Sequence, residues 1–472
     1  MSYKLVSINN LSLTLPYVKN QKNILKNINL DIYKQEHTAI IGENGSGKST
    51  LLKLISGHLW PKHGQIFWYP KKNCKDSSPL TGRDLAKLVS PSIQEKYQLQ
   101  AWDISGREIL GKRISSKKHQ ELCKKLDINN LLSKRLPTLS QGQLRLLLIA
   151  QALLNEPILL LLDECAEGLD ITHRNLFFDL LNDFSTSSTI VLTTHRLDEI
   201  PAFCKNKIFL DNGKIISADI YNQKQNKLKK STIDTIPRKK IKSNQLLISC
   251  NNVSVFIERK KILHDISWQW KKDEHWLISG ENGSGKSTFL RLLAGDEFAH
   301  SNGSIIRYDE KTDKELDTLT KIRKRIYLIS ALSQINYEHD INALELVLSG
   351  IDNTTGIYKK FNKNDREKAL NMIKKLFPYK HEEIVKKSIQ LTSTGELRRL
   401  FLARALMNNP NILLLDEPCA GLDTTSRNAV LKMLEKVSLT SNILFVSHYQ
   451  DDIPPFINRK AIMQNGTLKI TV

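Results

Sequence analysis

Apolar and polar positions along this chain fall into a series of short blocks, and the same series occurs twice. Each series opens on alternation of period two, LVSINNLSL at 5–13 and LISCNNVSV at 247–255, the pattern of strands with one buried face. A short apolar strand follows, then a glycine-rich turn. After the turn, KSTLLKLISG (48–57) and KSTFLRLLAG (286–295) space their apolar residues as a helix does. A helix-rich middle comes next, including LRLLLIAQALL at 144–154, which reads as a buried helix. The unbroken apolar runs ILLLLDE (158–164) and NILLLDE (411–417) read as buried strands ending in two acids. TIVLTTH (189–195) and NILFVSH (442–448) read as strands ending in histidine. Strands alternating with helices predict an α/β fold with a mostly parallel sheet, its ligand gathered at the carboxyl ends of the strands. The opening strands predict a smaller antiparallel sheet beside it, and the middle of each half a helical subdomain.

The two series are copies. Residues 24–57 align with 262–295 without gaps, and 19 of the 34 positions are identical. Repetition at this scale predicts two tandem domains, 1–221 and 244–472, each of ordinary single-domain size. Between them lies NQKQNKLKKSTIDTIPRKKIKS (222–243), with eight Lys or Arg against one Asp and few large apolar residues. It cannot bury a core and reads as an exposed basic linker.

Composition narrows the class. The chain is 40% hydrophobic and 25% charged, as soluble globular proteins are. The amino-terminal MSYKLVSINN has no apolar core of a secretory signal, and no apolar run reaches about 18 residues, so no spanning helix is expected. Any membrane pathway would have to come from another chain. Six scattered cysteines, at 74, 123, 165, 204, 250 and 419 with no CxxC pair, read as free thiols of a reducing cytoplasm. The net charge of +21 points to contact with nucleic acid, ribosome or anionic lipid, or else to a basic bias spread over a solvated surface.

The chemistry sits in GENGSGKST, present identically at 42–50 and 280–288. The pattern G-x-x-x-x-G-K-[ST] turns backbone N–H groups onto phosphate oxygens at a helix N-terminus. The cradles are Gly42, Glu43, Asn44, Gly45, Ser46, Gly47, Lys48, Ser49 and Thr50, and Gly280, Glu281, Asn282, Gly283, Ser284, Gly285, Lys286, Ser287 and Thr288. Lys48 and Lys286 should reach the β- and γ-phosphates, and Ser49 and Ser287 a Mg²⁺. Three further motifs follow in the same order in each half: LSQGQ (139–143) and TSTGE (392–396), then DECAEGLD and DEPCAGLD, then the histidine. Glu164 and Glu417 each precede their histidine by 31 residues.

With these motifs in place the chain resembles the ATP-binding cassette (ABC) ATPase family over nearly all of both halves. Two tandem P-loop ABC nucleotide-binding domains are therefore expected, hydrolysing ATP with Mg²⁺. In that frame Asp163 and Asp416 hold the metal through its water shell, and Glu164 and Glu417 act as general bases. His195 and His448 hydrogen-bond the γ-phosphate. LVSPSIQ (88–94) and LISALSQ (328–334) make Gln94 and Gln334 the glutamines that touch the metal and hinge the helical subdomain. The resemblance also implies that the signature of one cassette closes over the phosphate loop of the other. Lys48, Asp163 and Glu164 would face Ser393, Gly395 and Glu396, and Lys286, Asp416 and Glu417 would face Ser140, Gly142 and Gln143. The signatures depart from the family pattern, with Thr392 in place of Leu and with Gln141 and Thr394 in place of the first Gly. That leaves room for unequal rates at the two sites. Tyr17 and Phe256 are either adenine-stacking aromatics or ordinary strand residues.

The second half is similar in more detail to tandem-cassette proteins named for molybdate transport and photorepair, the ModF/PhrA type. This implies the energy-coupling subunit of an importer, on the cytoplasmic face of a membrane, with transmembrane subunits docking near Gln94 and Gln334. The competing class is a soluble translation factor of the ABC-F type, but those carry a long helical arm between cassettes. A 22-residue linker containing Pro237 is too short for one. Repair cassettes need long coiled coils between phosphate loop and signature, whereas here the spacings are 92 and 107 residues. The second cassette is 15 residues longer between its lysine and its aspartate, which predicts unequal docking surfaces.

Overall fold

The computed structural model describes residues 3–14, 23–100, 103–111, 117–139, 141–167, 169, 171–230, 243–300, 302–330, 341–354, 357–378, 380–447 and 449–471. Tyr17, Ser140, Gln334 and His448 lie outside them. The chain divides into two compact units, Met1–Ser231 and Thr232–Val472.

In the first unit the alternating opening strands become an antiparallel sheet, in the order Asn23–Tyr33, Lys4–Thr14, His63–Lys71, Cys74–Asp76. Its apolar face buries Leu5, Ile8, Ile28 and Ile66 against Leu51, Leu52, Leu54 and Ile55 of the helix Lys48–Ile55. Trp68 is fully buried there, and its indole N–H donates to the Ile55 carbonyl at 2.7 Å. A side chain at Gly82 would put a Cβ 2.7 Å from the Trp68 ring, so the helix Pro79–Leu85 docks only because that position is glycine.

The second sheet carries the site. Its order is Lys214–Ile216, Asn206–Asp211, Thr38–Ile41, Thr189–Thr194, Leu159–Asp163, Ala86–Val89, all parallel except the first. Leu159–Asp163 is buried at every residue, as an unbroken apolar run in a covered parallel sheet requires. The antiparallel sheet and the helix Lys48–Ile55 pack on one face, and the helices Gln141–Leu154 and Ile171–Phe184 on the other. Register fixes which ends meet. Ile41 pairs with Thr194, Asp163 with Thr193, and Val89 with Leu162, so four strands release Gly42, His195, Glu164 and Ser90 along one edge. The chain order reverses beside Thr38–Ile41, the crevice where open α/β sheets bind ligands.

The second unit repeats this plan. Its sheet runs Ile326–Ile329, Ile412–Asp416, Asn442–Val446, Trp276–Ser279, Arg459–Gln464, Thr467–Thr471, the same sequence of equivalent strands. A three-stranded antiparallel sheet holds Trp268 and Trp270 against Phe289 of the helix Lys286–Ala294.

One expectation needs amending. The helix Ala218–Lys230 crosses the anticipated boundary at 221 and takes up residues 222–230 of the stretch read as linker. Tyr221 anchors it, buried with its ring 4.8 Å from that of Phe209. Residues 222–226 beyond Tyr221 are exposed or half-buried, so the basic composition did not forbid regular structure. Among the described residues no helix is long and apolar enough to cross a membrane.

Candidate nucleotide site

The helices that follow the two glycine loops begin differently from most others. Lys48–Ile55 and Lys286–Ala294 have Gly47 and Gly285 as N-caps, at φ 106° and 107°, with no side chain capping the free N–H groups. Other helices are closed by Ser78, Ser105, Thr318, Asn342, Asn362, Ser393 and Asp423, although His381–Val385 is not. An uncapped, dipole-positive end suits an anion. The loops are pressed onto the sheet so that only glycine fits. A Cβ at Gly42 would meet the Leu210 carbonyl oxygen at 2.3 Å, and one at Gly280 the Met463 oxygen at 2.2 Å.

Inside each cradle the lysine is buried and folded over its own loop. Lys48 Nζ donates to the carbonyls of Gly42 at 2.8 Å and Glu43 at 3.2 Å, and Lys286 Nζ to those of Gly280 at 2.9 Å and Glu281 at 2.8 Å. Among the described residues, the buried hydroxyls of Ser46 and Ser284 have no hydrogen-bond partner. Orphaned buried donors of this kind are rare in proteins, and here they suit phosphate oxygens.

The acid ends meet the cradle as the register requires. Lys48 Nζ lies 3.1 Å from Glu164 Oε1, and His195 Nδ1 lies 3.7 Å from the same oxygen, an ion-pair contact too long for a hydrogen bond. Burial pushes the Glu164 carboxyl up, but His195 and Lys48 beside it outweigh burial and hold it well below the usual carboxylate range. His195 moves the other way: burial favours its neutral ring, Glu164 favours the charged one, and the net shift is upward. Asp163 is pushed up by burial, against hydrogen bonds from Thr193, at 2.7 Å, and from Ser49. Gln94 is buried close by and accepts from Arg145 Nε at 3.1 Å.

The structure thus brings Lys48, Ser49, Gln94, Asp163, Glu164 and His195 to one edge of the first unit. In the second, Asp416 ends its strand beside Val446, and the Glu417 N–H donates to the Val446 carbonyl at 3.1 Å. Ser287 follows Lys286 in the first turn of its helix, as Ser49 does. Gly142 and Gln143 lie in the first turn of Gln141–Leu154. Ser393 is the N-cap of Thr394–Leu406, which contains Gly395 and Glu396, and its Oγ accepts from the Glu396 N–H at 3.2 Å. Phe256, next to the last residue of the strand Leu246–Ile257, is half exposed, its ring 5.0 Å from that of His300.

Ser49, Asp163 and Gln94 offer the hard oxygen donors that suit Mg²⁺, and a desolvated Asp163 is the kind of carboxylate a cation stabilises.

Three features escaped the sequence. Glu164 and Glu417 both adopt the left-handed backbone conformation, at φ 50°, a strained choice for non-glycine residues that clusters at functional sites. Thr193 carries the hydrogen bond that orients Asp163. Arg145 reaches Gln94 and the turn after Glu164; its signal was a lone arginine in an apolar run, five positions after the signature serine, with Arg398 at the same place in the second half.

A family model described as ABC transporter matches residues 25–167 and 263–420. An uncharacterised ABC transporter ATP-binding protein of Schizosaccharomyces pombe is 29% identical over 472 aligned residues, covering 95% of this chain and 96% of its own. The ABC transporter ATP-binding protein ModF of Escherichia coli is 28% identical over 447 residues, covering 89% of this chain and 90% of its own. In fold, the chain matches one from a model of ribosome-bound archaeal Pelota and ABCE1, with TM-score 0.69 and 21% identity over 98% of this chain and 78% of that one.

Proposed function

The chain belongs to the ABC transporter family, and from that premise we propose that it hydrolyses ATP at two composite sites to drive a separate membrane subunit. The observation that carries the chemistry is the meeting of an uncapped helix end, a buried lysine and an ionised glutamate at one sheet edge. The loop N–H groups bind the phosphates, and Lys48 turns from Glu164 to the γ-phosphate. That movement frees a carboxylate already held in its charged form, which orients water and accepts its proton. His195, at the end of the neighbouring strand, hydrogen-bonds the γ-phosphate. A Mg²⁺ held by Ser49, Asp163 and Gln94, or by Ser287, Asp416 and Gln334, supplies charge neutralisation on the phosphates. Glu417 and His448 take the corresponding parts in the second cassette.

Each nucleotide is shared in this reading. Lys48, Asp163 and Glu164 face Ser393 and Gly395, while Lys286, Asp416 and Glu417 face Ser140 and Gly142. The signature Ser and second Gly are present in both halves, which supports two working sites. Joining both cassettes on one chain raises their effective concentration for each other. The combined Glu164→Gln and Glu417→Gln chain is expected to bind ATP and stay loaded; ordinary turnover by it would disprove the assignment.

The names of the relatives, two of them aligned over most of their length, support a transporter role; with it goes the proposed place on the cytoplasmic face of a membrane. A second reading, ribosome contact, is favoured by the +21 charge, by the basic stretch 222–243 and by the ribosome-associated titles of fold neighbours. Gentle purification from native cells separates the two. Co-purifying integral membrane protein supports transport, and co-sedimentation with ribosomes at low salt supports the other.

A further inference from the structure

We infer that Arg145 is a positioning residue for ATP cleavage in the first cassette, tying the signature helix to both Gln94 and the backbone that aims Glu164. The inference rests on the reading of Glu164 as the base. Arg145 lies in the second turn of Gln141–Leu154, the helix that begins at the signature. Its guanidinium reaches out of an apolar surround to oxygens on two other segments. Nε donates to Gln94 Oε1 at 3.1 Å, and Nη1 donates to the Glu164 carbonyl at 3.3 Å and to the Glu167 carbonyl. All three acceptors are neutral, so the guanidinium contributes a fixed geometry rather than a charge pair, which is what a planar fork of donors does and an ammonium does not.

Both carbonyls belong to the turn that closes when the Glu167 N–H donates to the Glu164 oxygen at 3.2 Å. That turn starts with Glu164 at φ 50°, a conformation that surrounding contacts must hold in place. Pinning its carbonyls fixes the backbone from which the Glu164 side chain extends to Lys48. The third acceptor is the side-chain oxygen of the hinge glutamine. One side chain therefore connects the signature helix, the hinge and the base. A small rotation of the helix against the sheet displaces the other two together.

The test uses the full chain. Binding of MgATP is measured by displacement of a fluorescent ATP analogue, and cleavage by single-turnover hydrolysis of bound ATP. Glu164→Gln is run first, to identify the kinetic phase that belongs to the first loop. Arg145→Ala is expected to slow that phase about tenfold or more while binding stays within about twofold, because positioning is lost and the phosphate cradle is untouched. Arg145→Lys should restore little of the rate, since one ammonium cannot span three acceptors. Gln94→Ala also removes a Mg²⁺ contact and should slow the phase by itself, but combined with Arg145→Ala the two losses should fall well short of multiplying, as coupled residues behave. If Arg145→Ala does not fold, Arg145→Gln should show the same split between rate and binding. Cleavage unaltered in the arginine variants, full recovery with lysine, strictly multiplying losses in the double variant, or binding lost in step with cleavage would each overturn the inference. Undiminished cleavage in Glu164→Gln would instead bring down the base assignment beneath it.

Discussion

At the carboxyl ends of their strands the two cassettes are near replicas; in their signature helices they part. Gly47 and Gly285 differ by one degree in φ, Glu164 and Glu417 share φ 50°, and both lysines cover their own loop carbonyls at 2.8–3.2 Å. The helix Thr394–Leu406, by contrast, opens on a capping box between Ser393 and Glu396, with Lys387 Nζ 2.7 Å from the Glu396 carboxylate. Gln143 stands at the position equivalent to Glu396. Further along, Arg404 is buried where the first helix has Gln151, and it bonds Ser349, Asn353 and Thr354, none of them charged. The difference follows from what each region must satisfy. In the cradles Gly42, Gly47, Gly280 and Gly285 lie so close to their neighbours that an added Cβ would fall at 2.2–2.8 Å, which admits almost no substitution, whereas the helical arm needs only one buried face and satisfied polar groups.

The sharpest way to break the likeness is at the proposed bases. Glu164→Gln and Glu417→Gln, made singly, should each lower cleavage at their own site by a factor on the order of 10²–10⁴. Similar losses in single-turnover assays would confirm that the two ends are functional equals. A hundredfold disparity would mean that the matched backbones hide an unequal pair.

The glycine caps come next. A Cβ at Gly47 would lie 2.7 Å from Leu25 Cδ2, and one at Gly285 2.8 Å from Leu263 Cδ2, each at a φ that favours glycine. Gly47→Ala and Gly285→Ala should each cost about 1–3 kcal/mol in urea unfolding and weaken MgATP binding. Equal penalties would extend the replica to energetics.

For the helical arm the expectation is reversed. Arg404→Leu leaves Ser349 Oγ, the Asn353 side chain and the Thr354 carbonyl without their donor, at about 1–3 kcal/mol. Gln151→Leu breaks a 2.6 Å bond to the Ile109 carbonyl and should cost about 1 kcal/mol. Thermal melts of the two variants would measure how far the arms have diverged.

What could be read from the letters follows the same division. The phosphate loops, the acid strand ends and the repeat were legible because each is a local demand: glycine at a forced φ, leucine through a covered strand, acid where that strand stops. The strained backbone of the glutamates was not, because register against the neighbouring strand imposes it, through the Glu164 N–H to the Thr193 carbonyl at 3.2 Å. Nor were the acceptors of Arg145, which are two backbone carbonyls and an amide brought together by three separate segments. The helix Ala218–Lys230 was hidden for another reason. Charge predicts exposure, and residues 222–224 and 226 are exposed, but the helix is tied down by Tyr221 on Phe209 and a 2.7 Å bond from Gln225 Nε2 to Glu43 Oε1. Ser140, Gln334 and His448, assigned by resemblance, lie outside the described residues and stay with the proposal.

The smallest effect isolates the charge that separates the two signatures. Burial pushes the Glu396 carboxyl up, but the Lys387 ammonium and the Ser393 N–H, at 2.7 and 3.0 Å, outweigh it and set the carboxyl below its ordinary value. A depressed carboxyl stabilises the fold above its unfolded pKa of about 4.3, and that contribution disappears as pH falls through the lower folded value. Glu396→Gln should therefore melt below the parent at neutral pH, by the equivalent of about 1 kcal/mol or less, and the gap should close in acid. Lys134 occupies the place in the first cassette that Lys387 occupies in the second. Gln143→Glu should then carry the same acid-sensitive increment into the first helix. If that variant gains nothing at neutral pH, the divergence of the arms extends beyond one exchanged carboxylate to the backbone that would have to present it.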